Sequence, residues 1–185
     1  MMRPARRQSR RETLVRRNHF PLRAAALLAW AMIGAILFLA ITGTASGKRP
    51  DPETWRLDML QHLNAIRAQH GLTGLRLDNR LNKAAQLHTN NMIHRDFFDH
   101  KDPDGAKMTE RADAFGYRWR WIIENIAAGQ PNMHEALNGW MASPDHRAAI
   151  LDKRVRDAGI GYSYAPNDWG SVTKVHYWTL LVGSE

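Results

Sequence analysis

The chain of 185 residues contains no cysteine. This absence excludes a disulfide framework, a thiolate metal site and a lipid-bearing cysteine. The chain also has no internal repeat that would indicate a stacked-repeat architecture. Its length suits one domain with a hydrophobic core plus an appendage. Because no disulfide is possible, the stability of the folded part must come from packing.

Acidic residues are nearly absent from the first 23 residues, where eight arginines accompany a single glutamate. This arm holds +7 of the chain's formal net charge of +8, which leaves +1 for the remainder. A folded nucleic-acid-binding domain would carry its basic residues on the domain itself. The sequence therefore predicts a basic cytosolic arm over residues 1–23 and no nucleic acid as a partner.

Charged residues are also absent from residues 24–47, and residues 24–41 are almost wholly apolar. This length is at the lower edge of what spans a bilayer, and the flanking arginines on the N-terminal side predict that this side stays inside. Two interpretations are open. The segment is an uncleaved transmembrane anchor, or it is a signal sequence removed near residues 43–47, where small residues suit a peptidase. The rest of the chain is then extracytoplasmic, either membrane-bound through a single pass or secreted or periplasmic.

Residues 48–53 are predicted to be a polar linker and residues 54–185 a folded domain. Apolar spacing of three and four residues predicts helices, and strict alternation predicts strands. Helices are expected before Gly71, from about Asp78 to Arg95, from Met108 to Phe115, after Asn132 and after Ser143. Strands are expected at 122–127, 160–164 and 175–181. We therefore expect an α+β fold with helices on a small antiparallel sheet.

Four ionisable side chains, His100, Glu124, Glu135 and His146, lie on four separate short segments. Binding and catalytic sites are usually assembled from several segments that converge on one cleft. Imidazole nitrogens suit a zinc ion, and a glutamate beside a bound water can act as a general base. No H-E-x-x-H motif is present to make this pattern specific. The alternative interpretation is that each histidine caps or satisfies local backbone groups and that Glu135 lies on the solvated face of its helix.

The motifs around these four residues resemble those of the CAP family, also called SCP/PR-1-like, and most closely its compact bacterial branch. They are F-D-H at 98–100, D-P-D-G at 102–105, E-N-I-A-A-G at 124–129, S-P-D-H-R-A-A-I-L at 143–151, G-I-G-Y at 159–162 and Y-W-T at 177–179. The resemblance implies the α-β-α sandwich of CAP domains. It also implies that the four side chains line a central cleft, in which His100 and His146 are the ligands of zinc or another divalent cation.

Two functions follow from this resemblance. The favoured one is a membrane-tethered extracytoplasmic binding module with a His-Glu-Glu-His cleft suited to a divalent metal, and with a lipid, an envelope component or a protein as its ligand. The alternative is a metal- or carboxylate-dependent hydrolase of peptide or glycan bonds in the cell envelope, with Glu124 and Glu135 as catalytic carboxylates. Family membership implies no common enzymatic activity, so we favour binding and expect a monomeric domain.

Three other residues receive structural interpretations. His88 lies on the apolar face of the second predicted helix and is expected to be a core histidine. Tyr162 and Tyr164 alternate along a predicted strand and are expected to be ordinary sheet residues.

Overall fold

Local side chains determine where two of the helices begin. In a computed structural model, which describes residues 52–172 and 174–185, the Asp78 carboxylate accepts hydrogen bonds from the backbone amides of Arg80 and Leu81 at 2.8 and 3.3 Å. The Asn132 side chain accepts one from the amide of Glu135 at 3.0 Å. Such caps satisfy the first-turn N–H groups, which have no partner inside a helix.

The described residues form five helices and four strands. The helices are α1 (Pro52–Gln69), α2 (Asn79–His94), α3 (Met108–Ala114), α4 (Met133–Ala142) and α5 (Pro144–Ile150). The strands are β1 (Arg76–Leu77), β2 (Trp121–Ala128), β3 (Asp157–Tyr164) and β4 (His176–Ser184). The predicted α+β class is confirmed.

The sheet has the strand order β1-β3-β4-β2. Strand β4 pairs antiparallel with both of its neighbours, as predicted. The prediction of a purely antiparallel sheet is wrong at one edge, because β1 pairs parallel with β3. This edge strand has two residues, too few for an alternating pattern to reveal it.

Alternate strand residues point to opposite faces of the sheet, and each face is covered by helices. On one face Ile160 and Leu180 pack with apolar residues of α1, α4 and α5. On the other face Ile122 and Leu181 pack with apolar residues of α2 and α3. The result is a three-layer α-β-α arrangement, and the two faces of the sheet belong to different clusters of helices.

Helix α2 lies unusually close to the sheet because β3 carries glycines beneath it. A Cβ atom at Gly159 would lie 2.2 Å from the carbonyl carbon of Leu81, and one at Gly161 would lie 2.4 Å from the carbonyl oxygen of Ala85. Any larger residue would push the helix outward. This close packing fixes the height of His88, one turn further along α2, above the sheet.

The described residues all belong to one compact unit, Ala45–Glu185. The predicted arm (1–23), the predicted membrane segment (24–47) and most of the predicted linker (48–53) lie outside the described residues. Helix α1 begins at Pro52, slightly before the predicted start of the domain. Within residues 52–172 and 174–185, no helix has both the length and the apolar character needed to cross a bilayer.

Candidate functional site

A buried ionic network connects α2 and α3 to β2. Arg111 donates hydrogen bonds to Glu124 Oε2 at 2.7 Å and to Asp102 Oδ1 at 2.8 Å. Asp102 also accepts from His88 Nδ1 at 2.8 Å and from Asn91 Nδ2 at 2.6 Å. Two buried carboxylates therefore share one guanidinium group, whose charge and hydrogen bonds offset the cost of removing the carboxylates from water.

His100 lies at the outer edge of this network. Its Nδ1 donates to Glu124 Oε1 at 2.9 Å, and its side chain is 55% exposed whereas that of Glu124 is 1% exposed. The hydrogen bond to Glu124 raises the pKa of His100. Burial acts to raise the pKa of Glu124, but the hydrogen bond from His100 and the nearby positive charges outweigh it, so that this pKa is lowered. Glu124 is therefore a stable carboxylate and a weak base.

His88 is the buried imidazole of the network. Burial lowers the pKa of His88. Because a carboxylate can only accept a hydrogen bond, the imidazole proton lies on Nδ1, which faces Asp102. Its Nε2 has no hydrogen-bond partner among the described residues and lies 3.6 Å from Glu124 Oε1. With His88 neutral, the proton on His100 is favoured by its hydrogen bond to the Glu124 carboxylate. The burial of His88 agrees with its interpretation as a core histidine.

Glu135 is an exposed residue in the first turn of α4. Its Oε1 accepts from Asn132 Nδ2 at 2.9 Å, while its own backbone amide donates to Asn132 Oδ1 at 3.0 Å. This reciprocal pair is a capping arrangement at the start of a helix. In the structure, Glu135 thus lies on the solvated face of α4, as in the alternative interpretation, and its carboxylate orients the capping residue Asn132.

His146 is half-buried on α5, and its backbone carbonyl accepts a hydrogen bond from Asn125 Nδ2 at 3.0 Å. Asn125 follows Glu124 in β2, so the two side chains point to opposite faces of the sheet. The structure therefore brings His100 and Glu124 into contact, and it places Glu135 and His146 in the helical layer on the other side.

The described residues do not fit a zinc ion shared by the two histidines. His100 and His146 belong to opposite sides of the sheet, and His100 Nδ1 is already bonded to Glu124. Within residues 52–172 and 174–185, no group of three or more His, Cys, Asp or Glu side chains is arranged to hold a metal ion. The four-residue cleft predicted from the resemblance stays a prediction.

An open groove of about 1440 Å³ lies at the end of β3 and β4, and none of the four predicted site residues lines it. Its aromatic wall consists of Trp55 on α1, Tyr162 and Tyr164 on β3, and His176 and Trp178 on β4. The rings of Tyr162 and Trp178 stack with centroids 4.1 Å apart, and those of Tyr164 and His176 lie 4.9 Å apart.

Sequence reasoning missed this groove, although a signal for it exists. Tyr162 is paired with Trp178, and Tyr164 with His176, in the antiparallel register. Two alternating aromatic pairs at the facing ends of a hairpin predict a ring cluster on one face, once the register of the hairpin is known. The network partner Arg111 had no such signal, because a single arginine on a short helix is not distinctive, whereas Asp102 belongs to the D-P-D-G motif.

The comparisons with known sequences agree on one family. Residues 60–182 match the sequence model described as CAP, the cysteine-rich secretory protein family. The chain is 29% identical over 128 residues to the uncharacterised protein YkwD of Bacillus subtilis, covering 69% of this chain and 50% of that protein. It is 28% identical over 103 residues to the uncharacterised membrane protein YlbC of the same species, covering 56% and 30%. The chain thus spans half or less of the length of these relatives.

Solved structures share the fold. An outer surface protein of Borrelia burgdorferi has a TM-score of 0.64 at 17% identity, covering 73% of this chain and 96% of that one. An extracellular protein of Bacillus anthracis with an SCP domain has a TM-score of 0.60 at 22% identity, covering 73% and 44%. At these identities the likeness concerns the fold alone.

Proposed function

Because the chain belongs to the CAP family, we propose that it works as an extracytoplasmic binding module tethered to the cell membrane by residues 24–47. The family match and the asymmetric charge around the apolar segment support this proposal. Two relatives point the same way, since YlbC is named a membrane protein and the Bacillus anthracis structure is that of an extracellular protein. Cleavage of the segment as a signal sequence would give a secreted or periplasmic form of the same module.

The observation that favours binding over catalysis is that Glu124, the candidate catalytic carboxylate beside His100, is buried with both oxygens engaged. Glu124 is buried, with Oε1 bonded to His100 and Oε2 to Arg111. Glu135 is exposed and accepts a hydrogen bond from the side chain of Asn132, the capping residue of α4. A general base must reach the proton that it abstracts, and the buried Glu124 cannot do so. The open aromatic groove is instead the surface at which we propose that the ligand binds.

Binding to envelope material tests this proposal. The purified full chain, kept in detergent, is mixed with isolated bacterial cell envelopes and sedimented. We expect the protein in the pellet and no peptide or glycan fragments in the supernatant. Retention should be lost in Tyr164→Ala, whose ring lines the groove, and kept in Trp169→Ala, an exposed aromatic residue outside its lining. Fragments released by the wild type but not by Glu135→Gln would establish the hydrolase instead.

The metal expected from the family resemblance has its own test. Zinc is titrated by calorimetry into the full chain and into the His100→Ala/His146→Ala double variant. Because the two histidines lie on opposite sides of the sheet, we expect no zinc binding that depends on the pair. Micromolar or tighter binding that disappears in the double variant would contradict this part of the proposal.

A further inference from the structure

The aromatic wall of the groove is ordered before any ligand arrives. Trp178 Nε1 donates to the carbonyl of Gln130 at 2.9 Å, and a hydrogen bond of 2.9 Å joins the Tyr162 hydroxyl to His176 Nδ1. Trp55 packs edge-on against Tyr162 with ring centroids 5.9 Å apart. Rings held in this way lose little conformational freedom when they bind a ligand.

The rings also change from buried to exposed along the groove. Trp178 is buried in the core, Tyr162 and His176 are half-buried, and Tyr164 is 48% exposed. The buried members fix the position of the outer ones, and the outer ones leave ring surface open to solvent. An apolar ligand surface can therefore be covered by Tyr164 and His176 without any rearrangement of the core.

The groove has no excess of either charge. Among its described lining side chains only Arg56 and Asp58 are permanently charged, and their charges are opposite. The Arg56 guanidinium also donates to the carbonyl of Ile160 at 2.7 Å and to Gln86 Oε1 at 3.0 Å. An anionic ligand such as a nucleic acid or an acidic lipid head group would need a cluster of cations here. The charge of the lining instead complements a neutral ligand.

The remaining polar groups of the lining are carboxamides, imidazoles and hydroxyls, which both donate and accept hydrogen bonds. A long acyl chain would cover His94, His134 and His176 without pairing their nitrogens, which is unfavourable. A sugar ring has an apolar face of C–H groups and an edge of hydroxyls. It therefore matches a wall of aromatic rings beside neutral hydrogen-bonding groups.

We propose that this groove binds a neutral glycan chain, with a sugar ring packed on Tyr164 and His176. The inference rests on the proposed function as a binding module and adds the chemical class of the ligand. It also separates the ligand surface from His100 and Glu124, which lie outside the lining.

A titration with chitohexaose, a neutral oligosaccharide, tests the ligand class. Binding to the full chain is followed by calorimetry and by tryptophan fluorescence, to which Trp55 and Trp178 contribute from within the groove. We expect Tyr164→Ala to weaken binding at least tenfold and Tyr164→Phe, which keeps the ring, to weaken it less than threefold. Trp169→Ala, 88% exposed and outside the lining, should bind like the wild type. Equal binding by Tyr164→Ala and the wild type would overturn the inference.

Treated envelopes separate this inference from the proposed function. Envelopes are treated with glycoside hydrolases, digested with protease or extracted with organic solvent before sedimentation with the full chain. We expect that the glycoside hydrolases, which cleave the bonds between sugar units, abolish retention and that the other two treatments do not. Retention that survives the glycoside hydrolases but is lost after protease or solvent would overturn the glycan inference and leave a binding module. No retention by untreated envelopes would overturn the proposed function itself.

Discussion

The two faces of the sheet are built alike but bury different chemistry. Beneath α2 and α3, the inward side chains include Glu124, Arg111 and Asp102, which are joined to one another by buried hydrogen bonds. Beneath α1, α4 and α5, the inward side chains are mostly apolar, and the buried Arg67 and Asn125 donate to backbone carbonyls. Toward the end of β3 and β4 the inward side chains form the aromatic wall of an open groove. The polar side chains of the first face bond to one another, and we call it the closed face. Part of the second face is exposed to solvent in the groove, and we call it the open face.

The motifs by which the family is recognised and the surface that could bind a ligand lie on different faces of the sheet. The F-D-H and E-N-I motifs lead to His100 and Glu124, on the closed face. The open face is lined by Tyr162, Tyr164 and His176, which look like ordinary strand residues in the sequence. A motif that is needed to hold a fold together is as recognisable in a sequence as one that contacts a ligand.

The largest expected effect comes from breaking the closed face. Arg111→Ala leaves Asp102 and Glu124 buried without their shared cation, and removing one partner of a buried pair typically costs about 3–5 kcal/mol. Urea unfolding measures the loss in the free energy of unfolding. The control is Arg154→Ala, which removes a half-exposed guanidinium while its partner Asp152 keeps the hydrogen bond from the backbone amide of residue 154, so the loss should be smaller. Equal stability of the two variants would show that the network does not hold this face.

The second-largest effect is expected from a substitution that pushes α2 away from the sheet. Gly159→Ala places a Cβ 2.2 Å from the backbone of Leu81, and such overpacking typically costs about 1–3 kcal/mol. Gly139→Ala is the matched control, because nothing lies within 4 Å of its Cβ and α4 continues through it. In that helix alanine should stabilise by up to about 1 kcal/mol. Thermal unfolding of both variants should shift in opposite directions, and a shift in the same direction would contradict the close packing of α2.

The smallest effect is the pH dependence of the His100–Glu124 contact. Because the pKa of His100 is raised in the folded state, its contribution to stability is fully present below the unfolded imidazole pKa of about 6.5 and is lost as pH rises through the folded value. In His100→Gln the amide keeps a donor for Glu124 but cannot gain a proton. The melting temperature of the wild type should therefore exceed that of the variant by more at pH 6 than at pH 8.

The titration of His88 changes the stability with pH in the opposite direction, but His88 is present in both the wild type and His100→Gln. Its lowered pKa favours the folded state above pH 6.5, and this contribution falls away as pH drops, so it cancels in the difference. A wild-type advantage that stays constant between pH 6 and pH 8 would contradict the raised pKa of His100.

Much of the fold follows from local patterns in the sequence. The apolar spacing of Leu81, Ala85 and Met92 locates α2, and the alternation of Ile160 and Tyr162 locates β3, because each pattern has the period of its element. The edge strand β1 was missed because its pairing with β3 joins residues 81 positions apart. Two residues carry no period.

The candidate site was less predictable, and for a physical reason. Glu124 and His100 are recognisable from their motifs, but the partners that fix their charge are not. Arg111 reaches both Asp102 and Glu124 only in the folded chain, because these partners lie 9 and 13 residues away on a loop and a strand. The groove likewise depends on the register of β3 with β4. The sequence does not give this register, because the pattern of residues does not fix the length of the connecting loop.

The most direct test of the account compares one residue from each face in the envelope sedimentation experiment. Tyr164→Ala removes the outer ring of the groove, and His100→Ala removes the exposed imidazole of the network. If the ligand binds at the open face, Tyr164→Ala should stay in the supernatant while His100→Ala sediments like the wild type. The opposite result, retention of Tyr164→Ala and loss of His100→Ala, would place the ligand at the network and contradict the account.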